Sequence, residues 1–180
     1  MIVTTGRSHV KRYGVIFTCL SVRAVHLELS KDLSTDATLN AVRRFIARRG
    51  PVQRLFSDNG TNFRGADNEI QKAVKVLDDS GVMEKLTARG IDWRFIPPGS
   101  PHMGGCWERL VKSVKVALAA TLHEQFPQED VLYTLLTEAE YLINNRPLTH
   151  VSVDPDDPES LTPNHFLGTK GIEIQMGKFE

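Results

Sequence analysis

The stretch that decides the fold is YGVIFTCLSVRAVHLEL, residues 13–29 of the chain. It contains two apolar runs, residues 13–19 and 24–29, with a short polar break between them. Both runs are rich in β-branched and apolar side chains, and β-branched residues favour an extended backbone. Two such runs around a short break are typical of strands that fold back on each other. The stretch therefore predicts an antiparallel pair of strands.

A helix and a third strand are predicted directly downstream. The helix has an N-cap at Ser34 or Thr35 and ends at Gly50-Pro51, because this pair stops helices. Its apolar residues recur at helical spacing, and they are Leu39, Val42, Phe45 and Ile46. The apolar run 52–56 then has the length of a buried strand. A strand, a helix and a strand in this order predict a crossover after which the last strand joins the sheet in parallel.

The rest of the chain continues to alternate between helix and strand. Residues 66–77 have helical spacing, residues 91–95 alternate like a half-buried strand, and a Pro/Gly loop covers residues 97–105. Two amphipathic helices follow, with apolar stripes at Trp107, Leu110, Val111, Val114 and Leu118, and at Val131, Leu132, Leu135, Leu136, Ala139, Leu142 and Ile143. We predict an α/β core with a mixed sheet flanked by helices over residues 1–150, and a turn-rich C-terminal extension over residues 151–180.

The composition is that of one folded domain. The chain has 180 residues, of which 41% are hydrophobic and 24% are charged, which is ordinary for a globular core. No apolar run approaches the roughly 18 residues of a membrane span, and we expect no secretion signal. The two cysteines, Cys19 and Cys106, are too few for a disulfide framework, and they are not in a CxxC pair, which excludes a cysteine-based zinc site.

The charges are unevenly divided along the chain, although the formal net charge is zero. Residues 1–115 hold 19 Lys and Arg against 11 Asp and Glu, whereas residues 116–180 hold 3 against 11. A basic N-terminal part leaves room for a surface that faces phosphates. The alternative, which has equal weight, is that the surface charge is unevenly distributed and binds no partner.

The first candidate site is the sequence SDNGTNF, residues 57–63. Asp58 directly follows a predicted strand and precedes an Asn-Gly pair. In α/β sheets, ligands bind at the edge where the strands end, so this carboxylate is placed where chemistry occurs. The alternative is that Asp58 is only the first residue of an Asn-Gly turn, since Asp and Asn are common there.

The second candidate site begins with the sequence PHMGGCWER, residues 101–109, and continues along one helix face. Glu108 lies in the predicted first turn, and Lys112 and Lys115 follow it four and seven residues later, on the same face. A carboxylate followed by two lysines suits a site that holds a cation at one end and phosphates along the other. The alternative is a solvated face, in which the first-turn acid is favoured by the helix dipole.

Taken together, the chain resembles the integrase catalytic core of LTR retrotransposons, in particular the BEL/Pao group. The resemblance runs from about Lys11 to Gly168, and SDNGTNF and GGxWER at this separation form a specific combination. It is carried by the stretches KRYGVIFTCL, RAVHLEL, LSTDATLNAVRRFIARRG, SDNGTNF, PHMGGCWERLVKSVK, NNRPLT and LTPNHFLG. The resemblance implies an RNase H-like fold, in which a five-stranded mixed sheet is flanked by helices.

The resemblance also implies strand transfer on DNA by three carboxylates that hold two divalent metals, Mg²⁺ or Mn²⁺. The second Asp of that triad corresponds to Asp58 and its Glu to Glu108, both as catalytic residues and as metal ligands. The implied DNA-binding residues are Lys112, Lys115, Arg109 and Asn59, and Asn59 also shapes the turn together with Gly60 and Asn62. The implied flexible active-site loop contains Pro98, Gly99, His102, Gly104 and Gly105.

The chain departs from this pattern at its first strand. Residues 1–27 contain no Asp or Glu, and Glu28 is the first acid, one strand later. Residues 1–5 stand where the first strand should end, or replace it, so we expect that strand to be partly or wholly missing. We also expect a truncated core, without zinc-binding and basic flanking domains, that has little or no strand-transfer activity. A substitution of Glu28 for the missing acid is the remaining alternative.

The expected partners are DNA, meaning both element ends and target DNA, and further copies of the chain. We expect no membrane, no small-molecule substrate and, by resemblance, a nuclear location without a recognisable import signal. Arg43-Arg44 and Arg48-Arg49 are interpreted as the outer face of a helix. Two other functions stay open: a non-catalytic RNase H-like remnant that binds DNA or assembles with itself, and an unrelated RNase H-like nuclease.

Overall fold

The computed structural model describes residues 1–58, 61–79, 91–95, 105–122, 125–151, 154 and 159–167, with the backbone alone at 71–79 and 105–106. Strands and helices alternate along these residues. They are β1 (Ile2–Thr5), β2 (Ser8–Lys11), β3 (Tyr13–Thr18), β4 (Val25–Ser30), α1 (Thr35–Arg49), β5 (Arg54–Ser57), α2 (Thr61–Asp79), β6 (Asp92–Phe95), α3 (Gly105–Thr121), α4 (Glu129–Asn144) and α5 (Pro163–Phe166). The predicted α/β class is confirmed.

The strand pairing is mixed, but among the described strands β5 pairs with β6 and not with the β3–β4 pair that the predicted crossover would join. β1 pairs with β2 and β3 pairs with β4, both antiparallel, whereas β5 pairs with β6 in parallel. The described strands are hydrogen-bonded as these three pairs and do not form one continuous sheet. Met1 exchanges two backbone hydrogen bonds with Arg12, at 3.0 and 2.8 Å. The pairing of β1 with β2 therefore continues to the residue just before β3.

The core lies between β4 and the helices α3 and α4. Its buried side chains are Val3, Val25, Leu27, Leu110, Val114, Leu132, Leu136, Ala139 and Ile143. The predicted stripe of α4 is too wide, because Val131 is 41% exposed and Leu142 is 55% exposed. Each directly precedes a buried residue, and one step along a helix turns a side chain by about 100°. The helix therefore buries a narrower stripe than its apolar sequence indicates.

Helix α1 begins and ends at its predicted caps. The hydroxyl of Ser34 accepts the N–H of Ala37 at 3.2 Å, which satisfies a first-turn donor. Gly50 ends the helix with a φ of +89°, a conformation that a side chain disfavours. The strand β5 that follows is less buried than predicted: Arg54 and Phe56 are exposed, and the residues between and after them are half-buried.

Asn144 joins the end of α4 to the beginning of β4. Its side chain is buried, with 1% of the residue exposed. Oδ1 accepts the N–H of Val25 and Nδ2 donates to the carbonyl of the same residue, both at 2.8 Å. The amide therefore satisfies both backbone groups of Val25, as a neighbouring strand would. Among the described residues, no helix is long and apolar enough to cross a membrane.

Candidate active site

Asp58 directly follows β5, as the sequence predicts, and it is exposed. The residue before it, Ser57, donates its hydroxyl to the backbone carbonyl of Asp58 at 2.9 Å. The same hydroxyl accepts the indole N–H of Trp93, on β6, at 2.9 Å. The backbone at Asp58 is therefore tied to both strands of the parallel pair.

The beginning of α2 is fixed to α1 on the other side of this segment. Nδ2 of Asn62 donates to Oγ1 of Thr38 at 3.0 Å, and Thr38 is buried in α1. A Cβ on Gly65 would lie only 2.1 Å from Oγ1 of Thr35, so the two helices approach closely here. Asn62 lies inside α2 and its contact joins the two helices, so its predicted role in shaping the turn stays a prediction. Asn59 and Gly60 lie outside the described residues.

Helix α3 presents a charged face next to a buried one. Leu110 and Val114 are buried in the core, each 8% exposed. The charged residues Glu108, Arg109, Lys112 and Lys115 are exposed, and Glu108 lies in the first turn of the helix as predicted. A negative charge in the first turn is favoured by the helix dipole. This face therefore has a carboxylate at its beginning and cations farther along.

The predicted flexible loop falls mostly outside the described residues. Pro98, Gly99, His102 and Gly104 are among those that are not described. Gly105 was predicted to belong to the loop, but it is the first residue of α3. Helix beginnings tolerate glycine better than helix interiors, where its backbone freedom costs about 0.5–1 kcal/mol relative to alanine.

The chemistry of Asp58 and Glu108 suits Mg²⁺, because both offer carboxylate oxygens and water completes the ion's octahedron. Their meeting at one ion stays a prediction. In the described parts of the chain, no group of three or more His, Cys, Asp or Glu side chains is arranged to hold a metal ion. The chemistry of two carboxylates suits one loosely held Mg²⁺ whose remaining positions water fills.

Glu28, the alternative to a missing acid, is engaged in a buried ionic cluster. The residue is 1% exposed on β4. Its Oε2 accepts Nε of Arg44 at 2.5 Å, and its Oε1 lies 3.0 Å from both Nη1 of Arg48 and Nε2 of His26. Both oxygens contact cationic or ring nitrogens inside the fold, so the structure gives this carboxylate a structural role. The alternative that assigned it a catalytic role stays a prediction.

Glu140 on α4 extends this ionic cluster. It forms an ion pair with Arg49, accepts the N–H of Leu27 at 2.7 Å and lies 3.4 Å from Nδ1 of His26. Burial raises the pKa of Glu140. The hydrogen bonds from His26 and Leu27 and the charge of Arg49 lower this pKa by more than burial raises it. Its pKa is therefore below the ordinary value, which favours the charged form.

The arginines of α1 correct another interpretation from the sequence. Arg44, Arg48 and Arg49 were assigned to the outer face of the helix, but they reach the two acids of β4 and α4. The available signal was Glu28 itself, a charged residue inside the apolar run 24–29. A buried acid requires cationic partners, and arginines four residues apart on the next helix can supply them.

Comparison with known proteins identifies the fold. A scan of known protein families finds no match, and a search of curated proteins finds none. Among solved structures, the chain matches the simian T-cell lymphotropic virus intasome in complex with PP2A regulatory subunit B56 gamma. That match has a TM-score of 0.63 and 18% identity, and it covers 99% of this chain and 55% of that one.

A second match is the HTLV-2 integrase catalytic core domain in complex with magnesium, in a trimeric form. Its TM-score is 0.53 at 15% identity, and the match covers 89% of this chain and 87% of that one. The chain thus spans about half the length of the first structure and most of the second. The likeness, at these identities, concerns the fold: this chain has the mixed α/β, RNase H-like fold of integrase catalytic cores.

Proposed function

We propose that the chain is the catalytic core of a BEL/Pao-type retrotransposon integrase, whose reaction is metal-dependent strand transfer on DNA. One observation carries the proposal: an integrase-core fold places Asp58 directly after β5 and Glu108 in the first turn of α3. Both acids are exposed, so an ion and a DNA strand have access to them. The resemblance of the sequence motifs to the BEL/Pao group supports the narrower assignment.

In this function, Asp58 and Glu108 hold Mg²⁺ or Mn²⁺. The ion, when bound, activates the attacking hydroxyl and stabilises the leaving oxygen of the phosphodiester. Arg109, Lys112 and Lys115 bind phosphates of the DNA backbone, which fixes the strand without reading its sequence. Because they share a helix with Glu108, the DNA that they bind lies beside that carboxylate.

We further propose that this chain by itself has little or no strand-transfer activity, because it offers two of the three carboxylates that the resemblance implies. Residues 1–27 contain no acid, and Glu28 is occupied by arginines and His26. Two carboxylates hold an ion less firmly than three, and each 1.36 kcal/mol of lost transition-state stabilisation slows a reaction tenfold.

This proposal predicts that the rate of strand transfer by the unaltered chain, with Mg²⁺ or Mn²⁺, does not exceed the rate of the Asp58→Asn variant. The assay measures nicking and joining of labelled duplex DNA. The matched positive control is the same chain preceded by a strand that carries an Asp, since the β1–β2 register would lay such a strand along β3. Activity of the unextended chain that Asp58→Asn abolishes would show that two carboxylates suffice.

A second prediction concerns the charged face of α3. The double variant Lys112→Ala, Lys115→Ala is expected to bind DNA more weakly at all sequences. The slope of log affinity against log salt should become shallower by about two, because about one counterion is released for each phosphate contact. The matched control removes two exposed lysines elsewhere, Lys11→Ala and Lys31→Ala. If both double variants bind DNA with equal affinity and equal salt slope, Lys112 and Lys115 belong to a solvated face that does not contact DNA.

The partners and the domain division follow as parts of the same proposal. The proposed partners are element-end DNA, target DNA and further copies of the chain, and the proposed site of action is the nucleus. The proposed domains are a core over residues 1–150 and an extension over residues 151–180. The second candidate function is a remnant that binds DNA or itself without catalysis. The engagement of Glu28 favours it, and DNA binding without strand transfer in the extended chain would establish it.

A further inference from the structure

Ser57 forms a two-step hydrogen-bond chain that ends at Asp58. Its hydroxyl accepts the indole N–H of Trp93 and donates to the carbonyl of Asp58, both at 2.9 Å. A hydroxyl has one hydrogen to donate, so a donor fixed on its acceptor side orients that hydrogen. Chains of this kind also polarise each hydrogen bond in turn. The indole therefore holds the backbone of Asp58 through one intermediate side chain.

Trp93 is itself held by the two elements on either side of Asp58. It faces Leu55 in the parallel register of β5 and β6. Its ring lies 6.2 Å from that of Phe63 in the first part of α2, and 6.2 Å from that of Phe95 in β6. Aromatic rings at these separations attract each other. The indole is therefore a fixed point from which the backbone of Asp58, directly after β5, is positioned.

We propose that Trp93 and Ser57 are positioning residues that orient the Asp58 carboxylate for a divalent cation. The proposal rests on the proposed function, because it takes Asp58 to be a ligand of that cation. A carboxylate on an unrestrained segment loses conformational freedom when it binds an ion, and that loss weakens binding. A segment already held in place loses less, so the ion binds more tightly.

The test measures Mn²⁺ affinity of the full chain, from the electron paramagnetic resonance signal of free Mn²⁺. Ser57→Ala and Trp93→Phe each break the hydrogen-bond chain, and Trp93→Phe keeps an aromatic ring in place. Each is expected to weaken Mn²⁺ binding by about threefold to tenfold, the effect of one hydrogen bond. Ser57→Thr keeps the hydroxyl and should restore the affinity.

The matched control is Ser160→Ala. The hydroxyl of Ser160 also donates to a backbone carbonyl, that of His150 at 2.9 Å, in a different part of the chain. This variant should bind Mn²⁺ like the unaltered chain. Urea unfolding of every variant separates a change in cation affinity from a change in stability. Reduced stability with unchanged Mn²⁺ affinity in Ser57→Ala and Trp93→Phe would overturn the proposal.

Asp58→Asn distinguishes this proposal from the function on which it rests. If Asp58→Asn leaves Mn²⁺ affinity unchanged, the cation site itself is wrong, and the positioning role is lost with it. If Asp58→Asn abolishes binding while Ser57→Ala and Trp93→Phe do not weaken it, only the positioning role is wrong. In NMR spectra, the indole N–H resonance of Trp93 is identified by its loss in Trp93→Phe. It should shift when Mg²⁺ is added to the unaltered chain, and it should not shift when Mg²⁺ is added to Asp58→Asn.

Discussion

Replacement of Glu28 by alanine is expected to lower the free energy of unfolding by about 3 kcal/mol, one of the two largest effects expected in this chain. Removal of one partner from a buried ion pair typically costs roughly 3–5 kcal/mol, because the other partner keeps a charge without compensation. The lower value applies here because the side chains of Arg44 and Arg48 are 40% and 46% exposed, so water can solvate them after the change.

His26 adds to this effect, since it is 4% exposed and its Nε2 contacts Glu28. Urea unfolding at neutral pH measures the loss. The matched control is Glu138→Ala, because Glu138 is an exposed acid on α4, and such changes usually alter stability by less than about 0.5 kcal/mol. A loss for Glu28→Ala no larger than that of the control would mean that the cluster does not hold β4 to α1.

Asn144→Ala is expected to destabilise the chain by about 2–4 kcal/mol. The change removes both hydrogen bonds to Val25, whose residue is 1% exposed, and leaves its N–H and carbonyl without a partner. Each buried polar group that loses its partner costs about 1–3 kcal/mol. Asn144→Asp keeps an acceptor for the N–H of Val25 but places a buried, unpaired carboxylate oxygen against its carbonyl, so it should cost at least as much as Asn144→Ala.

The neighbouring residue supplies the control for this prediction. Oδ1 of Asn145 accepts Nδ2 of Asn164 at 2.8 Å, a contact between two side chains in a less buried place. Asn145→Ala should therefore cost about 1 kcal/mol. Urea unfolding gives both values, and amide hydrogen exchange at Val25 should accelerate only in the Asn144 variants. Equal losses at the two positions would contradict the role of Asn144 at the beginning of β4.

The candidate site was predictable where its signals are local. An acid directly after a strand indicated Asp58 as a candidate, and an acid in the first turn of an amphipathic helix indicated Glu108, because both signals lie within a few residues. Only the family resemblance implied their catalytic roles. The hydrogen bond between Ser57 and Trp93 joins residues 36 positions apart. No local pattern indicates that pairing, because it depends on the register of β5 against β6.

The sequence by itself determined the order of strands and helices from β3 to α4, the caps of α1 and the charged face of α3. These follow from periodicity and from side chains that bond their own local backbone, so distant residues hardly affect them. Only the tertiary structure decided that Glu28 is a structural acid, that the arginines of α1 reach inward and that Asn144 satisfies Val25. A buried polar group must find a partner, and chain packing determines which distant residue supplies it.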